Sequence, residues 1–209
     1  VIPAHGWANY VLGNHDQTRV ATRIGSAQAR VAAMLLLTLR GTPFLYYGDE
    51  LGMRDVDMPR EKYQDPQGIN LGISRDPERT PMQWDKGQFA GFSDVKPWLP
   101  VGKNVSTHNV AAELHEPDSF LSLYRRLLRL RSRHEILRNG SYEAFGDTDK
   151  NVFVFSRRLG DEHVFVVLNF SDKKQTFTLP HKGRVICCTH PVDYPEIDKD
   201  HTIMLRPYE

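Results

Sequence analysis

Cysteine is scarce in this sequence. Its 209 residues include 2 cysteines, and these two, Cys187 and Cys188, are adjacent. A disulfide between neighbouring cysteines is strained and rare, which excludes a disulfide-stabilised extracellular fold and favours a cytoplasmic location. The pair also lacks the spacing of a zinc site, so no metal ion is expected.

Long apolar runs and an excess of charge are also lacking. The longest apolar stretch, residues 31–37, is far too short to cross a bilayer, and no signal peptide is visible at the start. The 27 basic residues oppose 26 acidic ones, for a net charge of +1. This balance gives no reason to expect nucleic acid or a membrane as a partner. With 40% apolar residues, the chain can bury the core of one or two domains.

Three polar residues follow a short apolar run near the start of the chain. The run, residues 10–12, stops at Gly13, and Asn14, His15 and Asp16 come next. A buried parallel strand delivers side chains to a site at its carboxyl end in this way. Asp16 supplies an anion, His15 a switchable donor, and Asn14 both a donor and an acceptor. The alternative is a capping turn before a helix, without any chemistry.

A helix and a second strand are predicted next. Ser26 can begin the helix and Gly41 can end it, and apolar residues cover nearly its whole circumference. A helix that is apolar all round is buried. Residues 42–47 then predict a strand, so the first part of the chain forms a strand–helix–strand unit of an α/β fold.

The middle of the chain is predicted to be a long loop, and its end a β domain. Residues 54–116 are rich in proline, glycine and charge, and their aromatic residues predict that the loop packs back onto the mouth of a barrel. A helix with one apolar stripe follows, from Pro117 or Asp118 to about Arg133. Short strands are predicted at 141–145, 152–157, 164–170, 175–179, 184–188 and 202–206, with turns at 146–147, 160–161 and 171–172. The predicted domains are therefore 1–138 and 139–209.

Three motifs stand in order along the chain: Asn14-His15-Asp16, the strand-then-acid segment 41–53, and the loop segment 75–85. Together they resemble the α-amylase family of glycoside hydrolases (family 13), most closely its α-glucosidase and oligo-1,6-glucosidase branch. The resemblance runs from about Trp7 to the end of the chain. It implies the C-terminal part of a (β/α)8 TIM barrel, with strands 7 and 8, followed by an all-β antiparallel sandwich domain.

The resemblance implies roles for three residues of these motifs. Asp16 corresponds to the third catalytic carboxylate, which stabilises an oxocarbenium-like transition state and binds two hydroxyls of the glucose being cut. His15 would donate a hydrogen bond to a hydroxyl of the same sugar. Arg75 would bind a hydroxyl of the non-reducing glucose. Asn14 is expected to hold the turn rather than to contact the sugar.

Neighbouring residues receive structural roles or none. Arg19 is ambiguous between a salt bridge beneath the site and a substrate contact, and the salt bridge is favoured. Arg79 is expected to anchor its loop. Asp49 and Glu50 point in opposite directions on an extended segment, so they cannot flank one bond, and the resemblance makes them structural. Asp65-Pro66 also resembles the α-glucosidase branch, but no role is assigned to it.

Two carboxylates that a retaining α-glycosidase requires are not found. The nucleophile and the general acid stand about 5–5.5 Å apart, and in the family they follow the fourth and fifth barrel strands. No stretch of this chain resembles either motif. We therefore expect the chain alone to be inactive, and residues 1–138 to be stable only beside a missing N-terminal barrel half, in the same or a separate polypeptide.

The implied function is hydrolysis of terminal α-linked glucose from maltose- or isomaltose-type oligosaccharides, by double displacement and without a cofactor. The oligosaccharide is the expected small-molecule partner. Two alternatives stay open. A trehalose synthase-like isomerase or transferase uses the same acids but keeps water from the glycosyl intermediate. A non-catalytic relative would instead serve as a partner subunit of a membrane transporter.

Overall fold

The computed structural model contains six α-helices and seven β-strands in its described residues. The structure describes Pro3 and residues 6–145, 150–191 and 197–209. Its α-helices are α1 (Val20–Ile24), α2 (Ser26–Thr38), α3 (Pro66–Leu71), α4 (Val110–Glu113), α5 (Phe120–Arg133) and α6 (Glu135–Asn139). Its strands are β1 (Asn9–Val11), β2 (Thr42–Phe44), β3 (Glu143–Ala144), β4 (Val152–Leu159), β5 (Glu162–Asn169), β6 (Gln175–Thr178) and β7 (Thr202–Leu205). Within the described ranges, no helix is both long and apolar enough to cross a membrane.

The chain divides into two compact units that alternate along the sequence. One unit contains Val1–Tyr10, Arg30–Pro43 and Leu123–Glu209, and the other contains Val11–Ala29 and Phe44–Ser122. The domain boundary predicted between residues 138 and 139 rests on the sequence pattern alone, and it stays a prediction.

Helix α2 confirms the prediction of a buried helix. Between Ala29 and Leu37, every apolar residue except Leu35 is buried. Apolar residues occupy the whole circumference of the helix, so exposure of any face to water would lose the free energy of apolar burial. The hydroxyl of Thr38 donates to the carbonyl of Met34 at 2.6 Å, which satisfies this buried polar group within the last turn.

Strands β1 and β2 lie side by side in a two-stranded sheet. The Thr42 amide donates to the Ala8 carbonyl at 2.8 Å. Gly41, at φ +155°, permits this approach, because a Cβ there would lie 2.6 Å from the Ala8 oxygen. The predicted strand–helix–strand order is confirmed. Two apolar side chains of the strands, Val11 and Phe44, remain 49% and 50% exposed.

The predicted loop, residues 54–116, contains only short elements. These are α3, α4 and single 3-10 turns at Arg60–Lys62, Asp76–Glu78 and Gln88–Gly91. The expectation that its aromatic residues pack back is wrong for Trp84, Phe92 and Trp98, which are 51%, 49% and 68% exposed. They border a cavity of about 430 Å³. Polar contacts of the buried Gln83 with Asn104 and His108 hold the loop instead.

Antiparallel strands form the last part of the chain. Strands β3, β4 and β5 make one sheet, and β6 and β7 make another. Strands β4 and β5 pair along their whole lengths. They leave Gly160 and Asp161 as a two-residue turn, in which Gly160 adopts the φ of +56° that such hairpins require. The two sheets share one core cluster, formed by Val152, Val154, Ile203 and Leu205.

One predicted strand, residues 184–188, is wrong. The backbone there forms no ladder with a neighbouring strand. The alternation of apolar and polar residues still corresponds to the half-buried side chains of Val185 and Cys187. Alternation therefore predicted which side chains turn inward, but a strand also needs a hydrogen-bonded neighbour. The turn predicted at Gly146 and Asp147 lies outside the described residues.

Arg157, on β4, is a fully buried arginine held by backbone oxygens. Its guanidinium donates to the carbonyls of Thr38, Leu137, Gly140 and Ser141 at 2.6 to 2.9 Å. Burial and the charges of neighbouring arginines lower its pKa to about 10, so it stays protonated at neutral pH. This one side chain satisfies carbonyl oxygens at the ends of α2 and α6, which those helices cannot satisfy themselves.

Arg157→Met is expected to lower the free energy of unfolding by about 3 kcal/mol, because the buried carbonyls of Thr38 and Gly140 lose this donor. Urea unfolding followed by circular dichroism measures this. The matched control is Arg158→Met, at the exposed next position, which should change stability by less than about 0.5 kcal/mol. Equal effects of the two variants would contradict the structural role of the buried arginine.

Candidate active site

The loop after β1 carries the Asn14, His15 and Asp16 motif. The Asn14 Oδ1 atom accepts a hydrogen bond from the Asp16 amide at 2.9 Å, which closes a local turn. The side chains of His15 and Asp16 are 65% and 45% exposed. Asn14 therefore shapes the turn, and the next two residues present their polar atoms to solvent.

Two arginines hold one oxygen of Asp16. Arg75 Nη1 lies 3.1 Å and Arg79 Nη2 lies 2.9 Å from Asp16 Oδ1. The other oxygen, Oδ2, stands 3.4 Å from His15 Nε2. Desolvation raises the pKa of the Asp16 carboxyl, but the Arg75 hydrogen bond and the charges of His15 and Arg75 outweigh it. The pKa lies below its ordinary value, so Asp16 is an anion at neutral pH.

Arg75 is itself held by a second carboxylate, that of Asp65. Arg75 Nη2 donates to Oδ1 at 2.7 Å and Arg75 Nε to Oδ2 at 2.8 Å, a bidentate pair. The Arg75 amide adds a third bond to Oδ2 at 2.9 Å. The Asp65 side chain is 1% exposed. The hydrogen bonds from Arg75 outweigh its desolvation and hold the pKa of Asp65 well below its usual range.

Arg79 links the two loops of the site. Its Nε atom donates to the His15 carbonyl at 2.8 Å, while its Nη2 atom reaches Asp16. The prediction that Arg79 anchors a loop is confirmed, although the loop it anchors includes the motif after β1. Its direct contact with Asp16 was not predicted.

Asp65 belongs to the site, although no role was predicted for it. Its one local feature is the Asp-Pro pair that begins α3, where Asp65 Oδ1 accepts from the Gln67 amide at 3.3 Å. That pattern predicts a helix N-cap. Its partner Arg75 is ten residues away, beyond the end of α3, so no periodicity could have paired them.

Arg19 adopts neither of the two arrangements considered for it. The side chain is fully buried, which excludes a substrate contact. Its Nη1 atom donates to the Tyr47 carbonyl at 2.6 Å, and the guanidinium stacks on the rings of Tyr46 and Tyr47 at 4.9 and 4.7 Å. The favoured salt bridge is replaced by a carbonyl contact and two cation–π contacts.

The extended backbone expected at Asp49 and Glu50 is wrong, because both residues lie in a 3-10 turn, Asp49–Leu51, after β2. Glu50 accepts from the Gly48 amide at 2.7 Å, which is a turn-stabilising contact. Asp49 is 3% exposed. Burial raises its pKa to about 6 against the attraction of Arg19, with a further rise from the charge of Glu50.

The raised pKa of Asp49 predicts a pH-dependent stability. An unfolded Asp titrates near 3.9, so between about pH 4 and 6 the folded chain binds more protons than the unfolded one. The free energy of unfolding should therefore fall as pH rises through this window, by up to about 3 kcal/mol from this group. In Asp49→Asn that contribution should vanish. Urea titrations at pH 4.5 and 7 measure it, with the exposed Asp57→Asn as control. If the unfolding free energy of Asp49→Asn differed between pH 4.5 and pH 7 as much as that of the wild type, the raised pKa of Asp49 would be contradicted.

Two family models match the chain. One describes the α-amylase catalytic domain and matches residues 1–140, and the other describes the maltogenic amylase C-terminal domain and matches residues 142–209. Among curated proteins, the oligo-1,6-glucosidase of Parageobacillus thermoglucosidasius is 34% identical over 98% of this chain and 42% of its own length. The α-glucosidase of Apis mellifera is 40% identical over 85% of this chain and 32% of its own.

Solved structures agree with these matches. The trehalulose synthase MutB from Pseudomonas mesoacidophila MX-45 has a TM-score of 0.85 and 31% identity, over 98% of this chain and 42% of that one. The Bacillus licheniformis trehalose-6-phosphate hydrolase has a TM-score of 0.85 and 29% identity, over 97% and 42%. The predicted fold class is confirmed: the C-terminal part of a (β/α)8 barrel followed by an antiparallel β-sandwich. The chain spans about two fifths of the length of these proteins.

Proposed function

Because this chain belongs to the α-amylase family of glycoside hydrolases, we propose that it supplies one catalytic carboxylate and one substrate-binding arginine to a retaining α-glucosidase. The substrate is a terminal α-linked glucose of a maltose- or isomaltose-type oligosaccharide. Asp16 stabilises the positively charged transition state, His15 donates to a sugar hydroxyl, and Arg75 binds a hydroxyl of the terminal glucose.

The contacts of the Asp16 carboxylate carry this proposal. Both arginine bonds fall on Oδ1, so the charge is fixed in place while Oδ2 remains available beside an exposed histidine. A fixed anion with one open oxygen suits an oxocarbenium-like sugar, whose positive charge develops at the moment of bond cleavage. A pure ion pair inside a loop would need neither the exposure nor an oxygen that no arginine contacts.

The other two carboxylates must come from elsewhere. We propose that a further barrel segment, in the same or a separate polypeptide, supplies the nucleophile and the general acid. The exposed Val11 and Phe44 on the sheet and the exposed Trp84 and Trp98 on the loop support this, because a completed barrel would cover such apolar surface. The chain with this segment is called the assembled enzyme below.

Hydrolysis is favoured over isomerisation by the curated relatives, which are named oligo-1,6-glucosidase and α-glucosidase. Trehalulose synthases are among the similar solved structures, so isomerisation is the alternative outcome of the test. We also propose a cytoplasmic location, supported by the free thiols of Cys187 and Cys188.

The test is to co-express this chain, carrying an affinity tag, with the part of the Parageobacillus thermoglucosidasius relative that it does not align with. We expect the two polypeptides to purify together and to release glucose from isomaltose, maltose or 4-nitrophenyl α-glucoside. The chain alone should release none. A co-purified complex without glucose release would overturn the hydrolase proposal, and rearranged disaccharides in place of glucose would establish the isomerase.

A further inference from the structure

We propose that Asp65 is a positioning residue of this site, which holds Arg75 so that one oxygen of Asp16 stays open to the sugar. The proposal rests on the function proposed above and deepens it. Asp65 does not touch Asp16; it acts through the guanidinium that the two carboxylates share.

The three bonds between Arg75 and Asp65 fix the direction of the guanidinium. Nε and Nη2 donate to the two oxygens of Asp65, and Nη1 alone reaches Asp16. A guanidinium has five N–H donors in a rigid plane. These contacts use three of them, which leaves two donors for a sugar hydroxyl on a side chain that is 30% exposed.

A third carboxylate, that of Asp76, holds the backbone of Asp65 in place. The fully buried Asp76 accepts from the amides of Gln64 and Asp65 at 2.7 and 3.0 Å and from the Ser74 hydroxyl at 2.9 Å. The Asp65 side chain also caps α3. Its carboxylate therefore has little freedom to follow a moving arginine, which is what a positioning group requires.

Competition between the two carboxylates explains why a charge is needed at residue 65. Arg75 and Arg79 bring two positive charges to the pair Asp16 and Asp65. If residue 65 were neutral, both guanidiniums would be drawn to Asp16 alone. Arg75 could then take Asp16 Oδ2 as well, as bidentate pairs prefer. The open oxygen would be lost, although every catalytic residue would still be present.

The activity test uses Asp65→Asn in the assembled enzyme, with Asp57→Asn, an exposed aspartate of the same loop, as the matched control. We expect Asp65→Asn to lower kcat/KM about 10²-fold, mainly through kcat, because a misplaced group costs about that much. Asp57→Asn should be unchanged. In an Arg75→Ala background, Asp65→Asn should cost no more than about twofold, because its effect passes through Arg75.

Two outcomes would overturn the proposal. One is an Asp65→Asn enzyme as active as Asp57→Asn. The other is an equal loss from Asp65→Asn with and without the Arg75 side chain, which would mark a general folding defect. Melting temperatures of all variants separate the second outcome from a local effect.

A second measurement does not depend on turnover. In a ¹⁵N spectrum of the assembled enzyme, in which only this chain is labelled, the Arg75 Nε proton should exchange slowly with water, because it is bound to a buried carboxylate. It should exchange at least about tenfold faster in Asp65→Asn, and an unchanged rate would overturn the proposal. If the Arg75 Nε proton exchanged slowly but the assembled enzyme released no glucose, the result would count against the proposed function alone.

Discussion

Asp16→Asn in the assembled enzyme is expected to lower kcat by at least about 10³-fold, with a smaller change in KM. Asparagine keeps the size of the side chain and can still accept a hydrogen bond from Arg75 or Arg79 at Oδ1. It loses the charge that opposes the developing positive charge of the sugar. The loss therefore falls on the transition state more than on the ground state. Initial rates with 4-nitrophenyl α-glucoside across a range of concentrations give kcat and KM separately.

Controls must separate this loss from disorder of the loop. Asn14→Ala removes the Oδ1 acceptor that closes the local turn without removing the carboxylate. It should cost far less than Asp16→Asn. A kcat of Asp16→Asn within about tenfold of the wild type would exclude the enzymatic role of this carboxylate. It would favour the alternative of a non-catalytic relative.

Arg75→Ala is expected to lower kcat/KM of the assembled enzyme by about 10² to 10³-fold, with a clear rise in KM. Two effects combine. The terminal glucose loses a charged donor, and the buried Asp65 loses its bidentate partner and is left as an unpaired charge. The pKa of Asp16 should also rise, because the Arg75 hydrogen bond is the largest cause that lowers it.

The matched control is Arg54→Ala, an exposed arginine of the same loop. It should leave both kinetic constants unchanged. The Arg75→Ala, Asp65→Asn double variant should regain stability relative to Arg75→Ala, because the buried carboxylate is no longer charged. A KM equal to that of the wild type in Arg75→Ala would contradict the substrate-binding role.

Local sequence was enough wherever a residue depends on its near neighbours. The apolar circumference of α2, the turn at Gly160 and the turn closed by Asn14 were all predicted and are present. In each case the determining contact lies within a few residues of the chain, where the helical period, a positive φ or an Asx turn fixes the backbone.

Contacts between distant residues were the main source of error. The segment 184–188 has the alternation of a strand but no neighbouring strand to pair with. Arg19 was expected to meet a carboxylate, and it meets a carbonyl and two rings that only the folded loop brings together. Neither outcome depends on the residue types alone.

The sequence by itself determined the family, the fold class and the residues Asp16, His15 and Arg75 as candidates, because short motifs in a fixed order carry that information. Only the tertiary structure showed that Arg75 is divided between Asp16 and Asp65, and that Arg79 shares the same carboxylate oxygen. Asp16 and Arg75 are 59 residues apart in sequence. The packing of two loops decides which charges meet, and the contacts with Arg75 keep both carboxylates ionised against their desolvation.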